Sequence, residues 1–401
     1  MGVAPIAGCL IIRYAHKRPG RGTQTGRSVM TSSWSRHARE RVHLPADSGA
    51  TSPLERLHPS YFALVMATGI VSIAARFHGL NGIALALLVI NVAAYAGLWV
   101  AMVARATIYP HAFVADISDH ARGPGFFTWV AGTGVLGTQF VLVAHMQRLA
   151  LGLWATTLLL WLIVTYSIFT ALSVKESKPN LHDGINGSWL VAIVATQSVS
   201  VLSSRVAVLS PVWRDQILLL ALLTWLFGGM LYIWIISLIF YRYTFLSFTP
   251  GDLSPPYWIN MGAMAISTLA GALLIQSATV EPLLREIIPF LKGLTLLFWA
   301  TGSWWIPLLL ILGLWRYAIR RFPFEYDPLY WGMVFPLGMY SVCTDELTSV
   351  MHLPFLRPIA YCFLYLSCLA WAATFVSWLG QALLPACAAV ISRRLRRVRN
   401  R

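Results

Sequence analysis

The segment Gln216–Ile239, QILLLALLTWLFGGMLYIWIISLI, runs without a charged residue. Its length matches the roughly 20 apolar residues that one helical crossing of a bilayer requires. It shows none of the polar/apolar alternation of a barrel strand, and in hydrocarbon a helix satisfies all of its own backbone groups. Similar runs recur from residue 59 to residue 385. Of 401 residues, 57% are hydrophobic and 11% charged, against about a quarter charged in a soluble domain. The chain therefore reads as an all-α integral membrane protein. Ten spans are predicted, at 59–77, 82–104, 124–145, 149–173, 187–208, 215–240, 256–278, 287–315, 328–350 and 356–385.

Charge is concentrated at the ends. The net charge is +15, and fifteen of the thirty Lys and Arg lie before Pro59 or in Arg393–Arg401. Such tails flank membrane spans and are attracted to anionic lipid, which argues for a bilayer partner and against nucleic acid. They predict a multi-pass plasma-membrane protein with both termini cytoplasmic. Three regions are expected. Residues 1–55 form a disordered basic extension, 56–386 a ten-helix domain, and 387–401 a basic cytoplasmic tail. The apolar stretch Val3–Ile12 lacks the basic leader of a signal peptide. The five cysteines form no CxxC and no pairing with His, so neither a disulfide framework nor a zinc site is expected.

Five spans open alike, at Pro59-Ser-Tyr61-Phe62, Pro124-Gly-Phe126-Phe127, Gly187-Ser188-Trp189, Pro255-Pro256-Tyr257-Trp258 and Pro328-Leu-Tyr330-Trp331. The second aromatic recurs at intervals of 65, 62, 69 and 73 residues, two spans each time. The third opening is degenerate. The repeat unit is thus a helical hairpin, used five times, with all odd spans parallel. Nineteen-residue windows starting at 59, 124, 186, 255 and 328 contain 13 Leu and Trp in total, while those starting at 83, 150, 216, 291 and 363 contain 37. Lipid contact favours bulky side chains, and close helix packing favours small ones. An inner ring of odd helices around a central pore, enclosed by even helices, is the predicted architecture.

The predicted route is electrically neutral. All acidic residues lie in tails or near span ends, Asp345 and Glu346 deepest. Neither an acidic ring nor a mid-membrane proton relay is visible. Thr68, Thr133, Thr196 and Gly338 are candidate pore-lining residues on the odd spans. Five parallel helix N-termini would make the inner mouth positive and favour anions. Asp116, Asp119 and His120 imitate a metal site, but a solvated loop is the reading adopted. No metal, cofactor or catalytic constellation is expected, and hence no enzyme.

The stretches His58–Ile70 and Phe126–Gln139, with Trp331-Gly-Met-Val-Phe335-Pro336-Leu337 on the ninth span, resemble the tellurite-resistance/dicarboxylate transporter family. That family includes plant slow anion channels and fungal malate and sulfite transporters. The resemblance covers roughly residues 55–385. It implies five quasi-symmetric hairpins, a homotrimer and passage of a small anion such as a C4-dicarboxylate, tellurite, sulfite or an inorganic anion. It further implies that Phe335 plugs the pore, next to the helix-perturbing Pro336. The equivalent positions on the other odd spans are Met66, Ala131, Ile193 and Gly262. The alternative reading is a proton-coupled exporter of C4-dicarboxylates or toxic oxyanions, for which Asp345, Glu346 and His352 are the candidate titrating groups.

Overall fold

The computed structural model describes residues 52–323 and 327–399, with side chains to residue 381. The expected disordered extension thus lies outside the described residues except for 52–55, as do the side chains of the basic tail. Ten long helices follow in order: α1 Ala63–Phe77, α2 Asn81–Ile108, α3 Phe127–Leu142, α4 Gln147–Val174, α5 Val191–Ala207, α6 Arg214–Phe245, α7 Ile259–Ser277, α8 Ile288–Leu314, α9 Trp331–Met351 and α10 Arg357–Arg399. There is no strand among the described residues.

Nine of the described helices are long and apolar enough to cross a membrane, and α9 is not among them. The reason is its composition, with Tyr340, Ser341, Thr344, Asp345 and Glu346 in its second half. Nearly every side chain of α9 from Trp331 to Thr348 is buried in protein. A helix enclosed on all sides has no lipid-facing stripe that must be apolar, and α9 can carry Thr, Ser, Tyr and Glu instead.

Each odd helix begins with a 3-10 turn: Pro59–Phe62, Gly123–Phe126, Gly187–Leu190, Pro255–Trp258 and Pro328–Tyr330. Proline presets the backbone angle of such a turn and its missing N–H is not needed there. In the first, third and fifth turns the preceding side chain caps the chain. His58 Nδ1, Asn186 Oδ1 and Asp327 Oδ1 accept from the N–H groups of Ser60, Ser188 and Leu329. The degenerate third opening has a physical explanation. A Cβ at Gly187 would stand 2.5 Å from the Pro256 carbonyl, so the backbones of two opening turns touch where only glycine fits.

Helix α1 packs on α3, α3 on α5, α5 on α7, α7 on α9, and α9 back on α1, which closes a ring of five. The opening turns touch in the same cyclic order. Each even helix packs outside its odd partner, and α2, α4, α6 and α10 also lean on the inner helix of the next hairpin. The apolar windows of α1, α3, α5 and α7 are 83–94% buried, and those of the even helices 22–50%. The outer faces present Val100, Ile163, Ile233, Leu297 and Leu369, as a lipid-facing surface should.

Hydrogen bonds repeat with the hairpins. Within hairpins one, three and five, Ser72, Ser200 and Ser341 each donate to a carbonyl of the outer partner, at 2.7 Å (Ala84, Ala221 and Ala360). Between hairpins, an outer aromatic reaches the next inner helix. Tyr95 pairs with Thr133, Trp161 donates to Thr196, Trp225 to the Ser267 carbonyl, Trp299 to Thr344 and Trp371 to Thr68, all at 2.8–3.1 Å. Such bonds contribute roughly 1 kcal/mol each in a membrane, and together they key the two rings into register.

Candidate functional site

All five inner helices contribute to a narrow cavity along the ring toward their C-terminal ends. Its lining follows helical stripes of residues three to four apart. On α1 the stripe is Ile70, Ile73 and Phe77, and on α3 it is Gly134, Val135, Thr138 and Leu142. Ser198, Val201 and Arg205 continue it on α5, Ile266 and Leu269 on α7, and Met339 and Val342 on α9. The hydroxyls of Thr138 and Ser198 donate to their own helix backbone, at Gly134 and Val194. Among the lining residues Arg205 is the one charged group.

Arg205 stands at the C-terminal mouth. Its Nη2 lies 2.5 Å from Glu346 Oε1, and the other Glu346 oxygen accepts from Gln276 Nε2 at 2.5 Å. Three inner helices, α5, α7 and α9, are thereby joined around one cation. Gln276 lies seven residues beyond Leu269 and Glu346 four beyond Val342, so both continue the lining stripes. Arg205 Nε is buried without a hydrogen-bond partner among the described residues. Held by Glu346 on one side, the guanidinium keeps its Nε donor for an oxyanion or halide at the end of the cavity.

One helical turn below the cavity, the same stripes reach Met66, Ala131, Gly262 and Phe335. On α5 that turn brings Val194, while Ile193 falls on another face. Phe335 is fully buried and is not turned to lipid. Gly262 admits Pro336, because a Cβ there would lie 2.6 Å from the Pro336 ring. Gly338 likewise admits Ile70 of α1. Thr68, Thr133 and Thr196 are occupied by bonds from the outer aromatics named above. The three carboxyl and imidazole candidates do not form one cluster. Glu346 is held by Arg205, Asp345 faces Arg357 of α10 at 3.9 Å, and His352 ends α9 in a left-handed conformation.

The opposite end is ringed by the opening turns and braced from the side. Asp116, in the short helix Pro110–Ile117, lies 2.7 Å from Arg105 Nη2 and 2.6 Å from Arg122 Nε. Both arginines also donate to the leading segment, at the Glu55 and Leu57 carbonyls. The loop expected to be solvated thus contains an ion-pair triad in which Asp116 and Arg105 are buried and Arg122 is partly exposed, while Asp119 caps the N–H groups of Ala121 and Arg122. No group of metal-binding side chains occurs among the described residues. Nearby, burial first and the Arg122 charge second push His58 down to about 4. The neutral ring is what its hydrogen bond from Ser60 requires.

Sequence reasoning missed Arg205 and Gln276 as site residues. The signal for Arg205 was present, since an arginine inside a predicted span is by default a functional candidate. Gln276 carried none, because an uncharged polar residue near a span end is commonplace.

A family model described as SLAC1, voltage-dependent anion channel, matches residues 56–379. An uncharacterized membrane protein of Mycobacterium tuberculosis is 37% identical over 149 residues, which cover 37% of this chain and 75% of that protein. An uncharacterized transporter of Methanocaldococcus jannaschii is 23% identical over 82% of this chain and 96% of its own length. The sulfite efflux pump SSU1 of Trichophyton rubrum is 21% identical over 75% of this chain and 84% of its own. With five parallel inner helices around an axial cavity, and a family match that spans the whole of that ring, the chain belongs to the voltage-dependent anion channel (SLAC1) family.

Proposed function

We propose that the chain passes small anions through the axis of its inner ring in a channel-like manner, with Phe335 closing the bore. The observation that carries this reading is the cavity itself. It draws on all five inner helices, has Arg205 as the one charged group in its lining, paired at the mouth with Glu346, and lies one turn above Phe335. A phenyl ring suffices to close a narrow neutral passage, and Pro336 leaves the Gly332 carbonyl without its usual helical donor, so the backbone there is easier to distort. The substrate class is that of small anions: C4-dicarboxylates such as malate, tellurite, sulfite or inorganic anions. In this reading α9 is a tenth crossing, both termini are cytoplasmic, the membrane is the plasma membrane, the assembly is a homotrimer and no catalytic step is involved.

The test is planar-bilayer recording of the purified protein with a panel of anions under a pH gradient. Phe335→Ala is expected to raise conductance at least about tenfold, the factor given by a barrier lowered by about 1.4 kcal/mol. Unchanged conductance with normal folding would remove Phe335 as the gate. A second reading, proton-coupled export of dicarboxylates or toxic oxyanions, is favoured by one observation, the Glu346 carboxylate paired with Arg205 at the mouth. Transport that follows the pH gradient would select it.

A further inference from the structure

Four of the five hairpin junctions are closed by an outer helix leaning on the next inner helix, but α8 makes no comparable approach to α9. Toward the C-terminal end of α9 the two are bridged by side chains. Trp299 donates to Thr344 and stacks on Tyr340, whose hydroxyl lies 2.5 Å from Ser303. Toward the opening turns the gap remains as a recess, lined in part by Ser254, Trp258, Gly313, Arg316 and Tyr330. The break in the repeat therefore leaves a recess between two hairpins, separate from the axis.

Arg316 is 8% exposed, yet no carboxylate among the described residues pairs with it, and its buried Nε has no hydrogen-bond partner there. The Phe322 and Tyr317 rings lie 4.3 and 5.1 Å from its guanidinium carbon. Aromatic neighbours stabilise the cation without using its in-plane donors, and that fork matches an oxyanion. The opening turns of α7 and α9 border the recess and add positive helix-end potential. Arg320 and Arg321 follow within five residues, and Leu310, Ile311 and Leu314 are exposed on the adjoining stretch of α8. A basic recess beside an exposed apolar stripe has the polarity of a phospholipid, headgroup inward and chains along the helix.

We propose that this recess binds the phosphate group of an anionic phospholipid, with Arg316 as its cation. The shared chemistry is a phosphate oxyanion, and a free phosphate is the other possible source. The site does not depend on the transport reading. The test uses the full chain, purified and delipidated in detergent, titrated with phosphatidylglycerol, phosphatidylcholine or inorganic phosphate while thermal unfolding is followed. Phosphatidylglycerol is expected to raise the unfolding temperature more than phosphatidylcholine does. Arg316→Gln should weaken that binding about tenfold or more, as loss of a charged hydrogen bond does, while Arg320→Gln and Arg321→Gln retain most of it. Gly313→Phe should also abolish the effect, because a side chain there enters open space, and it keeps the test decisive if Arg316→Gln folds poorly. An Arg316-dependent response to inorganic phosphate alone would support the site with a free anion as its ligand. Wild-type phosphatidylglycerol affinity in a folded Arg316→Gln or Gly313→Phe protein would overturn the proposal.

Discussion

At the end where the inner helices begin, five 3-10 turns meet in a closed circle, with backbones so near that Gly187 has no room for a methyl group. At the end where they finish, the same five helices leave a cavity, and a network of Arg205, Glu346 and Gln276 spans its mouth. Proline, glycine and aromatic residues build the tight end, and branched aliphatic side chains line the hollow one. The difference teaches that a ring of parallel helices need not be uniform along its axis. Backbone contacts draw the turns together at one end, and at the other the lining side chains leave a narrow cavity.

The largest test of the tight end is Asp116→Ala. It strips the carboxylate from Arg105, which is 1% exposed, and from Arg122. Leaving a buried cation unpaired costs about 3–5 kcal/mol, so the unfolding temperature in detergent should fall markedly, and a change within error would show the brace to be unimportant.

A smaller effect is expected from acid at the same end. His58 is held neutral when folded, down to about 4, against an ordinary value near 6.5. Between those values the unfolded chain takes up the proton and the folded chain does not, so stability from this group is complete above about 6.5 and is lost as pH falls toward 4. The loss should reach about 2 kcal/mol for this partly exposed ring. A His58→Gln variant with the same pH dependence of unfolding would refute the assignment.

The smallest effect belongs to the hollow end. Arg205→Gln should lower anion conductance roughly tenfold through loss of a charged contact, with little change in cation leak. Equal conductance would mean that the network is structural only.

Much of this fold was legible because it rests on local chemistry. The Pro-aromatic openings marked the starts of the odd helices, and the contrast in Leu and Trp content separated the rings, because lipid and protein select different side-chain sizes. The facing of Thr68, Thr133 and Thr196 was not legible. An inner helix is buried all round, so no polar stripe marks which side meets the axis, and the bonds from Trp371, Tyr95 and Trp161 come from distant parts of the chain. The site residue on α5 shows the same limit, since aligning openings pointed to Ile193, whereas the helical period from Ser198 leads to Val194.

By itself the sequence determined an all-helical membrane protein of repeated hairpins, because apolar length, turn residues and side-chain bulk act over short stretches of chain. Only the tertiary structure decided which inner faces converge on the cavity, that Arg205 and Glu346 meet across its mouth, and that the α8–α9 junction stays open around Arg316. Those outcomes depend on how five separately formed hairpins rotate against one another, and that rotation is set by contacts between residues far apart in the chain.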